Sequence, residues 1–181
     1  ILTVLTNYKK SSNFDFVIVA VDNHYSLIEK IYSKYKSKLA INAVKSSKYK
    51  QDIFNKSFFS IAVSGTISLE LAINLIPMII VYRLNRISYL ILKQIVKTKY
   101  ISMINILHNK SIIPELIQDD FNEKNLFHQL DVYLHNKKNY NKQVAYFRKA
   151  INLLHKNRTD ASNSATTKIL KILESIPQKN S

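Results

Sequence analysis

The sequence predicts an α/β fold in which helices cover a parallel β-sheet, followed by a helical tail. One observation is that apolar, β-branched segments alternate with helix-like segments, at the spacing of βαβ units, as far as about residue 120. The other is that only amphipathic helical patterns follow after Phe121. We therefore expect a Rossmann-like layer over residues 1–120 and a helical tail over residues 121–181.

The strands carry the clearest patterns. Residues 14–21 (FDFVIVAV) are apolar and β-branched, as in a strand that is buried on both faces. The same kind of pattern predicts shorter strands at residues 39–44, 58–63 and 78–82, and a fifth at residues 100–103.

The helices fill the intervals between the strands. The helix after residue 21 is expected to be capped by Asp22 or Asn23, to run to about residue 36, and to carry Leu27, Ile31 and Tyr35 on one face. Further helices are predicted at residues 1–10, 49–55, 66–75 and 86–97, and in the tail at residues 122–136, 139–156 and 163–176.

Composition limits the function classes. The 181 residues are 46% hydrophobic, enough for a packed core, and the absence of cysteine excludes disulfides, thiol catalysis and thiolate metal sites. The net charge of +15 makes nucleic acid, anionic lipid and phosphorylated ligands candidate partners. The 27 basic residues include only four arginines, so 23 are lysines, and an A/T-rich genome could supply much of that charge. No apolar stretch is long enough to predict a membrane span or a signal peptide.

The single glycine of the chain, Gly65, lies between Ser64 and Thr66, where a strand pattern ends and a helix pattern begins. The unpaired N–H groups at a helix start favour a phosphate, and glycine lets a ligand approach the backbone closely. Glu70, one turn later, could accept hydrogen bonds from sugar hydroxyls. An isolated Ser-Gly-Thr is more often an ordinary βα turn with a helix cap, so the spacing alone leaves both interpretations open.

Four segments in fixed order carry a family resemblance: SGTISLE (64–70), PMIIVYR (77–83), VKTKYISMINIL (96–107) and IIPELIQ (112–118). They resemble the carboxyl-terminal domain of the lipid-A-disaccharide synthases, bacterial glycosyltransferases in which the pattern runs SGTxxLE, PMVVxYR, VKxxYVSLPN and ELLQ. The resemblance covers about residues 14–118 well and the helical tail loosely.

The resemblance implies the carboxyl-terminal half of a GT-B glycosyltransferase. That enzyme transfers diacylglucosamine from a UDP-linked donor to diacylglucosamine 1-phosphate, at the cytoplasmic face of the inner membrane, without a cofactor or metal. Matched by motif, Ser64, Gly65 and Thr66 would face the diphosphate and Glu70 the ribose. The other residues that the resemblance assigns to the UDP-sugar site are Asn105, Glu115 and Gln118. Arg83 matches a family arginine to which we assign no ligand contact.

Departures from the family pattern limit what the chain can do alone. The amino-terminal domain, with its acceptor site and proposed catalytic carboxylate, has no counterpart, so no catalytic residue is assigned. The first strand of the carboxyl-terminal sheet and the loop after it are also missing, and Ile104 replaces the family proline before Asn105. We expect an enzyme that is incomplete without its amino-terminal domain. Peripheral membrane contact and a homodimer through the tail are left open.

Two alternatives stay open beside the enzyme: an inactive remnant of it, and a basic module that binds membrane or nucleic acid. Lysines and tyrosines mix at residues 8–10 and 137–140 without a nucleic-acid-binding motif, so we predict no specific nucleic acid. None of the five histidines has metal-ligand spacing, and only His108 lies beside a predicted site residue. Asp119 and Asp120 are expected to cap the first tail helix.

Overall fold

The computed structural model describes residues 1–8, 13–63, 66–85 and 99–153. It confirms the predicted α/β class: within these residues every strand pairing is parallel, and helices alternate with the strands. The strands are β1 (Phe16–Ala20), β2 (Ile41–Lys45), β3 (Ser60–Ala62), β4 (Met78–Tyr82) and β5 (Glu115–Ile117). The helices are α1 (Leu2–Asn7), α2 (Tyr25–Tyr32), α3 (Ser46–Lys56), α4 (Thr66–Ile73), α5 (Met103–His108), α6 (Glu123–Leu134) and α7 (residues 137–153).

The strands form two parallel groups. β1 pairs with β2, and β4 lies between β3 and β5. Within the described ranges, β1 and β3 each have one strand partner, so one edge of each is not paired with another strand. The β3–β4–β5 sheet is staggered, because β3 pairs with the first half of β4 and β5 with its second half.

β4 is the centre of the fold and has the bounds that the sequence predicts. Its first four residues are almost completely buried, which explains a continuous apolar run rather than an alternating one. Successive side chains point to opposite faces of a strand, so Met78 and Ile80 join one core cluster and Ile79 and Val81 the other.

Helices close both faces. The first cluster contains buried side chains of α4, α5 and α7, including Leu71, Ile104 and Phe147. The second contains side chains of α1, α2, β2 and α6, including Leu5 and Leu126. The described part of the predicted tail is therefore built into the core, with α6 on one face of the sheet and α7 on the other.

Gln143 of α7 reaches the start of β4. Its Oε1 accepts a hydrogen bond from the Met78 N–H at 2.6 Å, and its Nε2 donates to the carbonyl oxygens of Met78 and Ile112 at 3.2 and 3.1 Å. The side chain is buried, so these bonds satisfy an amide that would otherwise be costly to desolvate. They fix α7 against the amino end of β4.

The predicted fifth strand at residues 100–103 is wrong, and the fifth strand is Glu115–Ile117. Residues 103–108 form α5 instead, because the Ser102 hydroxyl caps that helix by accepting a hydrogen bond from the Asn105 N–H. β5 forms because it pairs with β4, and this long-range contact cannot be predicted from the three residues of β5 alone.

Two predicted helix caps are also wrong. Asn122, rather than Asp119 or Asp120, caps α6, with its side chain accepting from the Asn125 N–H at 2.9 Å. No side chain caps α2, since the Asp22 carboxylate instead accepts hydrogen bonds from the Ser47 N–H and hydroxyl.

Only part of the apolar face predicted for this helix is buried. Leu27 and Ile31 are exposed, whereas Ile28 and Tyr32 pack against the second cluster together with Tyr35. Both pairs have the i, i+4 spacing of a helix stripe, and the position of the neighbouring strands decides which one is buried. The predicted helices at residues 86–97 and 163–176 lie outside the described residues.

Candidate functional site

The predicted phosphate-binding segment lies at the carboxyl end of β3. That strand ends at Ala62 and α4 begins at Thr66, which is exposed. Ser64 and Gly65 lie outside the described residues. Because β3, β4 and β5 are parallel, their carboxyl ends face the same edge of the sheet, which is where ligands bind in open α/β sheets.

Glu70 stands one helical turn after Thr66 on α4. Its Oε2 lies 2.7 Å from Lys50 Nζ of α3, and both side chains are partly exposed. Gln51 Nε2 donates to Asn74 Oδ1 at 2.9 Å, a second bond from α3, here to the residue that follows α4. Lys50 therefore holds one oxygen of the Glu70 carboxylate, and the Glu70 side chain is 39% exposed.

Gln118 follows β5 and ties it to the segment after β4. The Leu84 N–H donates to Gln118 Oε1 at 2.7 Å, and Gln118 Nε2 donates to the Leu84 carbonyl oxygen at 3.1 Å. Gln118 has φ of 52°, in the left-handed region that few non-glycine residues adopt, so the chain turns sharply where the strand ends.

Arg83 strengthens the same junction. Its Nη2 donates to the carbonyl oxygens of Phe121 at 2.6 Å and Gln118 at 3.4 Å, and its guanidinium lies 5.4 Å from the centre of the Phe121 ring.

Glu115 and Asn105 form a separate group beneath residues 99–102. The Glu115 carboxylate accepts hydrogen bonds from the Ile101 and Ser102 N–H groups, at 2.9 and 2.8 Å, and from Asn105 Nδ2 at 2.8 Å. Asn105 is fully buried, and its Oδ1 accepts from the N–H groups of Ile112 and Ile113, both at 2.9 Å. Both side chains therefore help to hold the loop before α5 and the loop before β5.

The predicted site residues that the structure describes thus fall into three groups: Thr66 and Glu70 on α4, Gln118 after β5, and Asn105 with Glu115. Arg83, which was not assigned to the site, contacts the Gln118 backbone. Two residues that contact these groups, Lys50 and Ser102, were not predicted from the sequence. Lys50 lies 20 positions before Glu70, and no local pattern links them. Ser102 is an N-cap residue type directly before α5, a signal that could have identified that helix.

The described residues give little support for other kinds of site. Two shallow depressions, of about 430 Å³ between α4 and α7 and about 530 Å³ near the amino ends of β1 and β2, contain no predicted site residue. No three His, Asp or Glu side chains of the described ranges group as metal ligands would. No helix in this part of the chain is long and apolar enough to cross a membrane.

Comparison with known proteins agrees with the motifs. The family model described as lipid-A-disaccharide synthetase matches residues 3–169. The lipid-A-disaccharide synthase of Actinobacillus pleuropneumoniae serotype 5b is 31% identical over 84% of this chain and 39% of the relative. Those of Wigglesworthia glossinidia brevipalpis and Haemophilus ducreyi are 32% and 36% identical, over 72% and 63% of this chain and 34% and 30% of the relatives. The chain thus spans well under half the length of these relatives.

The match to the family model covers nearly the whole chain, and the same segment carries the sheet and all the predicted site residues. The chain therefore belongs to the lipid-A-disaccharide synthetase family.

Proposed function

We propose that this chain is the donor-binding half of a lipid-A-disaccharide synthase and holds the UDP part of UDP-diacylglucosamine. The observation that carries the proposal is the position of Thr66 and Glu70 on α4, directly after the carboxyl end of β3. α4 has eight residues, so its first N–H groups have no partner within the helix and its dipole favours an anion. The family match over residues 3–169 supports the choice of ligand.

Each predicted residue has a physical role in this proposal. The N–H groups near Ser64, Gly65 and Thr66 hold the diphosphate, and Glu70 accepts a hydrogen bond from the ribose while Lys50 fixes its carboxylate. Gln118 shapes the neighbouring wall at the end of β5. Asn105 and Glu115 position the loop of residues 99–102 rather than touching the donor, since their polar atoms are bonded internally.

The catalytic carboxylate and the site for diacylglucosamine 1-phosphate are proposed to lie outside this chain, in an amino-terminal domain.

A doubly wound sheet has the strand order 3-2-1-4-5-6. The observed pairings fit that order if β2 and β1 take positions 3 and 2, and β3, β4 and β5 take positions 4, 5 and 6. The unpaired edges of β1 and β3 would then flank position 1, which we assign to a strand that is not among the described residues.

UDP binding to the full chain tests the proposal. We expect calorimetry to detect UDP, and we expect Gly65→Val to weaken it at least about tenfold, because a side chain there would occupy the place of the anion. Glu70→Gln should weaken UDP by about tenfold through loss of a charged acceptor. The matched control is Glu29→Gln, which removes an exposed glutamate of α2 and should leave the affinity unchanged.

Three outcomes are informative. UDP affinity that survives Gly65→Val overturns the site. Equal losses in Glu70→Gln and Glu29→Gln show that the signal is only general electrostatics. Sugar transfer by the chain alone, measured with both lipid substrates, would contradict the assignment of the catalytic carboxylate to another domain.

A further inference from the structure

Lys50 of α3 is the partner of Glu70, the residue to which the proposed function assigns the ribose. Lys50 Nζ lies 2.7 Å from Glu70 Oε2. Each of the two residues stands one turn past the start of its helix, and the two helices follow β2 and β3. Their contact therefore places the carboxyl ends of β2 and β3 on the same side of the fold, with the Lys50 ammonium beside the proposed donor site.

Glu70 is a rare negative charge in its part of the chain. Residues 53–114 contain seven lysines and arginines and no acidic residue other than Glu70. An ion pair between partly exposed side chains contributes little to stability in water, and the side chains of Lys50 and Glu70 are 37% and 39% exposed. The Gln51–Asn74 bond also joins α3 to the end of α4. Stability alone therefore gives a weak explanation for the position of the Lys50 ammonium.

The Lys50 ammonium lies within electrostatic range of an anion at the start of α4. Glu70 follows Thr66 by four residues, which is about 6 Å along the helix axis at a rise of about 1.5 Å per residue. That distance is shorter than the Debye length of about 8 Å at physiological salt, so salt leaves much of the attraction intact. An ammonium has three N–H donors, so Lys50 can keep its bond to Glu70 and also donate to a phosphate oxygen.

Two other cations near the carboxyl ends of the strands are turned toward protein groups. Nζ of Lys45, the last residue of β2, lies 5.5 Å from the centre of a tyrosine ring. Arg83, which follows β4, donates to two main-chain carbonyl oxygens beyond β5. The N–H groups at a helix start carry only partial charges. Of these three cations, Lys50 is therefore the one best placed to bring a full positive charge to a phosphate.

We propose that Lys50 binds the phosphate groups of the donor directly while it keeps its bond to Glu70, so that the site selects nucleotides over nucleosides. The inference rests on the proposed function and adds to it a ligand residue that lies outside the four motif segments. The competing explanation is that Lys50 acts only through Glu70, by holding its carboxylate for the ribose. The two roles are separable, because a direct contact is lost with Lys50 whether or not the Glu70 carboxylate is present.

A double-mutant cycle in the full chain separates these roles. Lys50→Met should weaken UDP about tenfold through loss of a charged donor, both in the unmodified chain and in Glu70→Gln. Lys50→Arg keeps the charge and should stay within about threefold of the unmodified chain. The matched control is Lys48→Met, which removes an exposed lysine from the same turn and should change UDP affinity by less than about twofold.

Uridine provides an independent measurement, by ligand-observed NMR, because it has the ribose but no phosphate. Its affinity should be unchanged in Lys50→Met and weaker in Glu70→Gln. If Lys50 acts only through Glu70, then Lys50→Met should weaken uridine as well.

Three outcomes overturn the inference: no further loss when Lys50→Met is added to Glu70→Gln, weaker uridine binding in Lys50→Met, or equal losses in Lys50→Met and Lys48→Met. The proposed function survives each of them as long as Gly65→Val still weakens UDP. UDP affinity that survives Gly65→Val, or an unmodified chain that binds no UDP, overturns both.

Discussion

Asn105 and Glu115 are joined by a 2.8 Å hydrogen bond from Asn105 Nδ2 to Glu115 Oε1, and between them they hold the backbone on both sides of α5. Asn105 also accepts from two buried N–H groups. We predict that Asn105→Ala lowers the free energy of unfolding by about 2–4 kcal/mol, because it leaves those donors unpaired in the core. Chemical denaturation of the full chain measures the loss.

The matched control is Asn23→Ala, at an exposed position, which should change the free energy of unfolding by less than about 0.5 kcal/mol. A measurement of UDP affinity distinguishes a structural role of Asn105 from a direct contact between Asn105 and the ligand. If Asn105→Ala keeps its stability but loses UDP, then the side chain contacts the donor and the positioning role proposed for it is wrong.

Gln143 supplies the second prediction, because it is the buried polar link between α7 and the start of β4. Gln143→Leu keeps a similar volume but leaves the Met78 N–H and two carbonyl oxygens without this partner. We expect a loss of about 2–4 kcal/mol in the free energy of unfolding, and faster amide exchange in α7. Gln129→Leu on α6 is the control. Unchanged exchange in α7 would mean that its apolar contacts suffice to hold it.

The sequence predicted the elements that depend on local pattern. β4 was located to the residue because it is apolar throughout and follows Pro77. β5 was missed because ELI contains a glutamate and is only three residues long, and its extended form comes from pairing with β4. The strand predicted at residues 100–103 is absent, and α5 begins at the last of these residues, because the Ser102 hydroxyl caps a helix there.

In the candidate site too, local sequence patterns predicted residues but not their long-range contacts. The motifs assigned Asn105, Glu115 and Gln118 to the UDP-sugar site, which stays a prediction, but did not predict that the first two bond to each other or that Gln118 bonds to Leu84. Those partners are distant in sequence and meet only once the sheet has formed. The buried face of α2 could not be predicted for a related reason. Leu27 and Ile28 each begin an apolar i, i+4 stripe, and the position of the neighbouring strands decides which stripe is buried.

Asn109 ends α5 in a left-handed conformation, with φ of 44° and ψ of 42°. The Lys110 N–H then bonds to the Asn105 carbonyl oxygen at 3.0 Å, as in a Schellman cap. We predict that Asn109→Gly leaves the melting temperature unchanged or slightly raised. Asn109→Val should cost about 1–2 kcal/mol, because a β-branched side chain clashes in this conformation. Equal stability of the two variants would show that the helix end has rearranged.

Tyr8 of the α1 segment provides a pH-dependent prediction. Its hydroxyl donates to Asp131 Oδ1 at 2.8 Å and lies 3.1 Å from His135 Nε2, so it joins this segment to α6. Burial first, and then the bond to Asp131, raise the pKa of Tyr8 above its ordinary value of 10.0. The folded chain therefore keeps a proton that the unfolded chain releases, and the free energy of unfolding must fall as the pH rises above about 10.

Denaturation of the full chain between pH 8 and pH 11 checks this. The decline above about pH 10 should be shallower in Tyr8→Phe than in the unmodified chain, by at most about 1.4 kcal/mol per pH unit, since one proton is involved. Tyr133 and Tyr140, whose pKa values are also raised by burial, contribute equally to both proteins and cancel in the difference. Tyr49→Phe, at an exposed tyrosine, should follow the unmodified chain. If Tyr8→Phe follows it too, then the Tyr8 hydroxyl loses its proton as easily in the folded state as in the unfolded one, and its bond to Asp131 contributes nothing to holding α6.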